Sequence, residues 1–132
     1  ISLMANVIGQ GISLMLGVHD AEAAIQFYGD AFGAIEVGER HAWEGKIGHA
    51  ELQIGTAKIM LADEFPAYNK SPRTLGGTPV ILHLEVDDVD ALTVRAVEAG
   101  AELLKAPTSE SYGRTSKLCD PFGHVWMLWA QI

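Results

Sequence analysis

The sequence predicts an α+β fold in which two tandem βαβββ modules form a cupped mixed sheet. First, a short apolar strand, a capped amphipathic helix and three further strands occur twice along the chain. Second, the two copies align, because residues 13–18 fall on residues 81–86 at an offset of 68. The Met-Leu pair at 60–61 also recurs 67 positions later, at 127–128. Third, a Pro- and Gly-rich stretch at 65–79 separates the copies as a loop.

The first module covers about residues 11–64. Residues 12–18 predict a short buried strand, and His19 with Asp20 supplies a cap for the helix that follows. Gly33 ends this helix, whose apolar face is formed by Ala21, Ile25, Tyr28 and Phe32. Three strands are then expected at about 34–43, 47–54 and 57–63. They are joined by turns at Glu44-Gly45 and Gly55-Thr56.

The second module covers about residues 80–131, so that the chain forms a single domain over 1–132. Its first strand is predicted at 80–86, and Asp87-Asp88 leads into a helix that Gly100 ends. The apolar face of this helix is formed by Val89, Leu92, Ala96 and Ala99. The remaining strands are expected near 101–106, 112–119 and 124–130. The last turn has the sequence Asp120-Pro121-Phe122-Gly123.

Composition limits the classes of partner. The net charge is -8 and only nine residues are Lys or Arg, which argues against nucleic-acid binding because phosphate contacts need clustered cations. No apolar run approaches the roughly 20 residues that cross a bilayer, so no membrane partner is expected. The single cysteine, Cys119, fits a reducing compartment, and we expect a cytoplasmic protein.

Three segments resemble one protein superfamily in their shared order. They are AIQFYGDAFGA from Ala24 to Ala34, HAELQIGTAKIMLADE from His49 to Glu64 and DPFGHVW from Asp120 to Trp126. Together they resemble the glyoxalase, bleomycin-resistance and extradiol-dioxygenase superfamily, also called vicinal oxygen chelate proteins. The middle segment further resembles a phosphonate-operon-like subgroup. The resemblance extends from about residue 12 to residue 130 and implies the glyoxalase/bleomycin-resistance fold.

The resemblance also indicates where metal ligands would lie. In metal-bearing members one ligand comes from the first strand of each module and one from its last strand. Those positions fall here on Ser13, Met60, Ile81 and Met127. None of these side chains is an imidazole or carboxylate suited to zinc, nickel or iron. We therefore expect no metal and no cofactor, as in the bleomycin-resistance proteins and related drug binders of the superfamily, which sequester a compound.

Two groups of residues are candidates for ligand contacts. The resemblance puts the first group on the concave face of the cup, with methionines that adapt to irregular ligands: Ser13, Met15, Met60, Ile81, His83, Met127 and Trp129. The second group consists of aromatic residues at strand ends or in loops, where flat rings can stack on a planar ligand: Trp43, Phe65, Tyr68 and Tyr112. Core packing and loop anchoring are the structural alternatives for these residues.

Two His-x-Glu pairs are candidates for chemistry. His49 with Glu51, and His83 with Glu85, each place both side chains on one face of a predicted strand. Histidine beside a carboxylate can act as an acid/base pair or as part of a displaced metal site. Charged pairs on a solvated sheet face would produce the same pattern without any site.

Two functional hypotheses from different classes follow. The first is a metal-independent small-molecule binding protein that confers antibiotic self-resistance by sequestering an aromatic or peptide antibiotic. Its site would lie between modules or between the subunits of a homodimer, because each module supplies only half of a cup. The alternative is a glyoxalase-like lyase or isomerase that uses a displaced metal or a His/Glu acid-base pair. A module whose cup is vestigial is a third interpretation.

Overall fold

The computed structural model describes residues 4–9 and 11–131. The remaining positions of the expected domain, 1–3, 10 and 132, lie outside the described residues. The first half of the chain contains β1 (Leu14–Val18), α1 (Ala21–Phe32), β2 (Ile35–Trp43), β3 (Lys46–Ile54) and β4 (Ala57–Asp63). The second half contains α2 (Pro72–Leu75), β5 (Ile81–Glu85), α3 (Val89–Ala99), β6 (Glu102–Glu110), β7 (Gly113–Cys119) and β8 (Val125–Ala130).

The strands form two four-stranded mixed sheets with the same topology. Their orders are β1-β4-β3-β2 and β5-β8-β7-β6, and in each sheet only the first strand pairs in parallel. Met15 pairs with Met60 in the first sheet. The residues 68 and 67 positions later, His83 and Met127, pair in the second sheet. The duplication predicted from the sequence is therefore repeated in strand register, and the predicted α+β class is confirmed.

Both long helices begin and end at the residues that the sequence indicates. The carboxylate of Asp20 accepts a hydrogen bond from the backbone N–H of Ala23 and caps α1, and Asp88 caps α3 in the same way. At the end of α1, Gly33 adopts a left-handed φ of 71°, which a residue with a side chain rarely takes. No helix among the described residues is long and apolar enough to cross a membrane.

Helix α1 packs against residues of both sheets and occupies the centre of the core. Its Tyr28 and Phe32 rings lie 5.6 and 4.9 Å from the ring of Trp126 on β8. Leu52 of β3 and Leu128 of β8 are also fully buried. The side chains that alternate with these residues face away from the helices, which leaves the opposite face of each sheet open.

The structure differs from the sequence-based expectations at three places. Strand β1 begins at Leu14, so Ser13 precedes the strand in which it was expected. Strand β6 continues to Glu110, past the expected end at residue 106. Pro107 has no backbone N–H to donate to a neighbouring strand, but it lies at a bulge of an edge strand, where that donor is not needed. The loop 65–79 contains the short helix α2, which Ser71 caps and Pro72 begins.

Candidate functional site

The concave face of the second sheet presents a regular grid of side chains. Strand pairing places His83 opposite Met127, and Met127 opposite Lys117 on the next strand. The neighbouring row consists of Glu85, Trp129 and Thr115. Residues directly opposite each other on adjacent strands point to the same face of a sheet. All six side chains therefore share one surface, on the side away from α1 and α3.

A concavity of about 610 Å³ lies over this grid. It is lined by His83, Tyr112, Thr115, Met127, Trp129 and Gln131. Trp129 and Tyr112 supply flat aromatic surface, and Met127 supplies a flexible thioether that adapts to irregular shapes. Because few convergent polar groups stand among apolar ones, the lining has the composition of a small-molecule site.

One wall of the concavity is polar and held in place by a short network. Thr115 is fully buried, and its hydroxyl accepts a hydrogen bond of 3.4 Å from Lys105 Nζ. The same ammonium group donates to Glu110 at 2.9 Å. Tyr112, in the turn between the strands that carry these residues, is 64% exposed. The wall thus combines a fixed ion pair with an aromatic side chain that is open to contact.

The concave face of the first sheet is more polar. Glu51 lies opposite Met60, and His49 lies opposite His41. The Nε2 atom of His49 is 3.4 Å from a carboxylate oxygen of Glu51, and Lys58 Nζ is 3.5 Å from the other oxygen. The hydrogen bond with His49, followed by the charge of Lys58, lowers the pKa of Glu51. His49 and Glu51 are therefore joined by a hydrogen bond to a carboxylate that is ionised at neutral pH.

The second His-x-Glu pair differs from the first. His83 and Glu85 share a face of β5, as the alternation of the strand predicts, and both are exposed. Within the described part of the chain neither side chain makes a hydrogen bond or an ion pair. His83 lines the concavity, whereas Glu85 lies one row further along the strand. The two pairs lie on different sheets, and the second is not joined by a hydrogen bond.

The predicted aromatic residues divide into two sets. Tyr112 and Trp129 meet in the concavity. Trp43 instead packs 4.8 Å from Phe65 and 5.2 Å from Tyr68, measured between ring centroids. Phe65 is only 6% exposed, because Trp43 covers it and Lys46 Nζ lies 4.6 Å from its ring centroid. In this chain Phe65 therefore supports its neighbours and offers little ring surface.

The other predicted concave residues lie outside the concavity. Met15 and Met60 are neighbours on the first sheet, and Met15 is 49% exposed. Ile81, at the start of β5, is 41% exposed. Sequence reasoning missed Thr115, Lys117 and Gln131. Alternation along β7, counted from the buried Leu118, would have placed the first two on the open face.

Comparison with known proteins identifies the superfamily. A sequence model described as glyoxalase/bleomycin resistance protein/dioxygenase superfamily matches residues 12–128. The chain belongs to this superfamily. Uncharacterized protein Rv0887c of Mycobacterium tuberculosis is 42% identical over 130 residues, which cover 95% of this chain and 76% of that protein. Uncharacterized protein At5g48480 of Arabidopsis thaliana is 30% identical over 112 residues, which cover 79% and 68%.

Two solved structures share the architecture of this chain. TioX from Micromonospora sp. ML1 superposes with a TM-score of 0.70 and 25% identity, over 92% of this chain and 95% of that one. The X-ray structure of the Arabidopsis thaliana protein At5g48480 gives a TM-score of 0.72 and 28% identity, over 89% and 96%. These comparisons confirm the predicted fold and superfamily.

The metal-ligand positions of the superfamily hold unsuitable side chains. Met60, Ile81 and Met127 carry a thioether or a hydrocarbon, and Ser13 offers only an exposed hydroxyl ahead of β1. Zinc, nickel and iron sites in proteins are built from imidazole, thiolate and carboxylate groups. Among residues 4–9 and 11–131, no three His, Cys, Asp or Glu side chains lie close enough together to hold an ion. This donor set does not fit a metal at the superfamily's positions.

Proposed function

We propose that this protein binds a small organic molecule in the cup of its second module without a metal and holds it unchanged. The compound class that fits the proposal is an aromatic or peptide-like antibiotic, which the protein would sequester in the cytoplasm and so confer self-resistance. The observation that carries the proposal is the concavity over Met127 and Trp129. The superfamily provides a cup, and in this chain the cup is lined by an aromatic ring and a thioether.

The donor set at the superfamily's metal positions supports binding over conversion. A glyoxalase-type reaction needs a Lewis acid that polarises an oxygen of the substrate. The thioether of Met127 lies where one ligand of such an ion would lie, and a thioether is a poor ligand for hard cations. The same side chain is well suited to contact an aromatic ring. One position thus disfavours metal chemistry and favours retention of an organic ligand.

The exposed concave faces support a homodimer as part of the proposal. Met15 on the first sheet and Ile81 on the second are 49% and 41% exposed, although both lie in the interior of a cup in this fold. A second copy that brings its first module over this concavity would cover apolar surface on both sides. The proposed site would then lie at the subunit interface.

Tryptophan fluorescence provides the test, because the three tryptophans lie in different places. Trp129 lines the concavity, Trp126 is buried under α1 and Trp43 packs on Phe65. We expect bleomycin-type, mitomycin-type or quinoxaline-peptide drugs at micromolar concentration to change the fluorescence of the wild type and of Trp43→Phe. Trp129→Phe should lose this change, and a chelator should have no effect on binding.

Two further results complete this test. Cells that express the protein should tolerate a drug that binds to it, and the drug should be recovered unmodified from the complex. The proposal fails if no drug in the panel changes the fluorescence and expression confers no tolerance. Recovery of a chemically altered compound, or binding that a chelator abolishes, would favour the glyoxalase-like enzyme.

A further inference from the structure

A positively charged side chain stands on the concave grid, at the end of the row that contains His83 and Met127. Lys117 is directly opposite Met127, and Met127 is directly opposite His83 on its other side. The thioether is therefore flanked by an ammonium group on β7 and an imidazole on β5. Lys117 is half-buried and does not line the concavity itself, but it lies beside Met127, which does.

Lys117 is not neutralised by a partner. Among the described residues its ammonium group makes no hydrogen bond and no ion pair. The lysine opposite it on β6, Lys105, is held by Glu110 at 2.9 Å, and Lys58 on the first sheet lies 3.5 Å from Glu51. Lys70 and Arg73 are also unpaired among the described residues, but they lie in the loop between the modules, whereas Lys117 stands on a concave sheet face. A ligand that supplies the missing negative charge would explain its position.

The carboxylates on the same face do not fill this role. Glu110 is engaged by Lys105. Glu102, opposite Cys119 on β6, lies one row from Lys117 and makes no ion pair with it among the described residues. Glu85 is separated from Lys117 by the intervening strand and by one row of the grid. Standard strand spacing and rise put Glu85 about 12 Å from Lys117, which exceeds the screening length of about 8 Å at physiological salt. The row of His83, Met127 and Lys117 thus carries an ammonium group that no carboxylate of the described residues pairs with.

We propose, building on the binding function above, that the ligand is amphipathic and carries an acidic group such as a carboxylate, sulfonate or phosphate. The acidic oxygens bind the ammonium group of Lys117, and the imidazole of His83 provides a second polar contact. The flat apolar body of the molecule lies over Met127 and Trp129. Charge then sets the orientation of the ligand, while the aromatic and thioether surfaces supply contact area.

A matched pair of fluorescent probes separates charge from shape. The probes are 8-anilinonaphthalene-1-sulfonate and N-phenyl-1-naphthylamine, which share one aromatic body and differ in the sulfonate. We expect the sulfonate probe to bind the wild type more tightly, and Lys117→Met to weaken it roughly tenfold, the loss typical of a hydrogen bond to a charged group. The affinity of the uncharged probe should change less than about twofold.

Three control variants sharpen the test. Lys70→Met removes a lysine in the loop beside β1 and should leave both affinities unchanged. Lys117→Arg retains the cation and should retain most of the affinity for the sulfonate probe. Glu102→Gln removes the unpaired carboxylate that lies one row from Lys117 on the neighbouring strand, and it should raise that affinity modestly, most clearly at low salt. Thermal unfolding midpoints of all variants establish that each protein is folded.

The outcomes distinguish this inference from the proposed function. If both probes bind and Lys117→Met weakens them equally, or weakens neither, the acidic group is refuted and the binding function stands. Binding of neither probe counts against both proposals. If Lys117→Met leaves the affinities unchanged and shifts the mass of the protein in solution, the lysine contacts a second copy of the chain and the inference is overturned.

Discussion

At the scale of single residues, Asp120 organises the contact between the two modules. Its buried carboxylate accepts hydrogen bonds from the backbone N–H groups of Phe122 and His124, from Trp126 Nε1 at 2.9 Å and from the hydroxyl of Tyr28. No cation lies among these donors. A buried carboxylate without a counter-ion depends on its hydrogen bonds, so each donor matters to folding.

Replacement of Tyr28 by phenylalanine should therefore destabilise the protein. The substitution leaves the packing of the ring intact and removes one donor from a buried carboxylate. We expect a loss of about 1–3 kcal/mol in the free energy of unfolding, measured by urea denaturation. Tyr68→Phe is the matched control, because Tyr68 is 76% exposed, and it should change that free energy by less than about 0.5 kcal/mol. Equal effects of the two substitutions would contradict this role of Asp120.

The same hydroxyl makes stability sensitive to alkaline pH. Burial, and secondarily the negative charge of Asp120, raises the pKa of Tyr28 well above its ordinary value of 10.0. The contribution of Tyr28 to the free energy of unfolding is thus fully present below about pH 10. It is lost as pH rises towards the folded-state pKa, because over this range the hydroxyl of Tyr28 loses its proton in the unfolded chain and keeps it in the folded chain. Above about pH 10, the free energy of unfolding should fall more steeply in the wild type than in Tyr28→Phe. If the free energies of unfolding of the two proteins fall in parallel above pH 10, the pKa of Tyr28 is not raised.

At the scale of elements, Asp63 ties helix α1 to the first sheet. One carboxylate oxygen accepts the backbone N–H of Ala21 at 2.7 Å, and the other accepts that of Ile47, also at 2.7 Å. The end of β4 therefore satisfies a donor in the first turn of α1 and a donor at the start of β3. A negative charge at a helix N-terminus is also favourable.

Asp63→Ala should destabilise the contact between helix α1 and the first sheet. Two backbone donors lose their acceptor, and we expect a decrease of about 2 kcal/mol in the free energy of unfolding. Asp87→Ala removes an exposed carboxylate that makes no hydrogen bond in the described part of the chain, and it should have little effect. Faster hydrogen exchange at Ala21 and Ile47 in Asp63→Ala, with slow exchange retained in α3, would place the destabilisation at the contact between α1 and the first sheet. Equally faster exchange in both helices would contradict this role of Asp63.

Sequence patterns predicted the long elements well, for local reasons. Asp20 and Gly33 are a cap and a terminator whose effect depends only on neighbouring backbone, so α1 was expected with nearly its observed bounds. The extension of β6 past residue 106 depends on bulged pairing with β7, which no local pattern encodes. Likewise, α2 lies in a Pro-rich stretch, where Pro72 ends a loop by starting a helical turn.

At the scale of the whole molecule, the two modules share one core. Phe32 of the first module packs on Trp126 of the second, His124 Nε2 lies 3.0 Å from the carbonyl oxygen of Gly17, and Arg95 Nε donates to the carbonyl oxygen of Asp30 at 2.6 Å. Because α1 contacts both sheets, neither module can open without exposing apolar surface of the other. The duplicated chain should consequently behave as one cooperative unit.

Unfolding should accordingly follow a single transition. We expect tryptophan fluorescence and far-ultraviolet circular dichroism to give coincident urea curves, and Phe32→Ala to shift both together by about 3–5 kcal/mol. Val94→Ala on the exposed face of α3 serves as the control and should cost less than about 0.5 kcal/mol. Two separate transitions, or a shift of only one signal in Phe32→Ala, would show that the modules fold independently.

The amino-acid sequence by itself determined the repeated module, its helix caps and the alternation of its strands, because these depend on spacing along the chain. Three segments in a shared order carried the resemblance to the superfamily. The sequence also placed His83, Met127 and Trp129 on one open face. Only the tertiary structure decided which candidates share a site. Tyr112 and Trp129 line one concavity, whereas Phe65 is covered by Trp43. The unpaired Lys117 likewise depends on register between β7 and β8, which long-range pairing sets and local sequence does not.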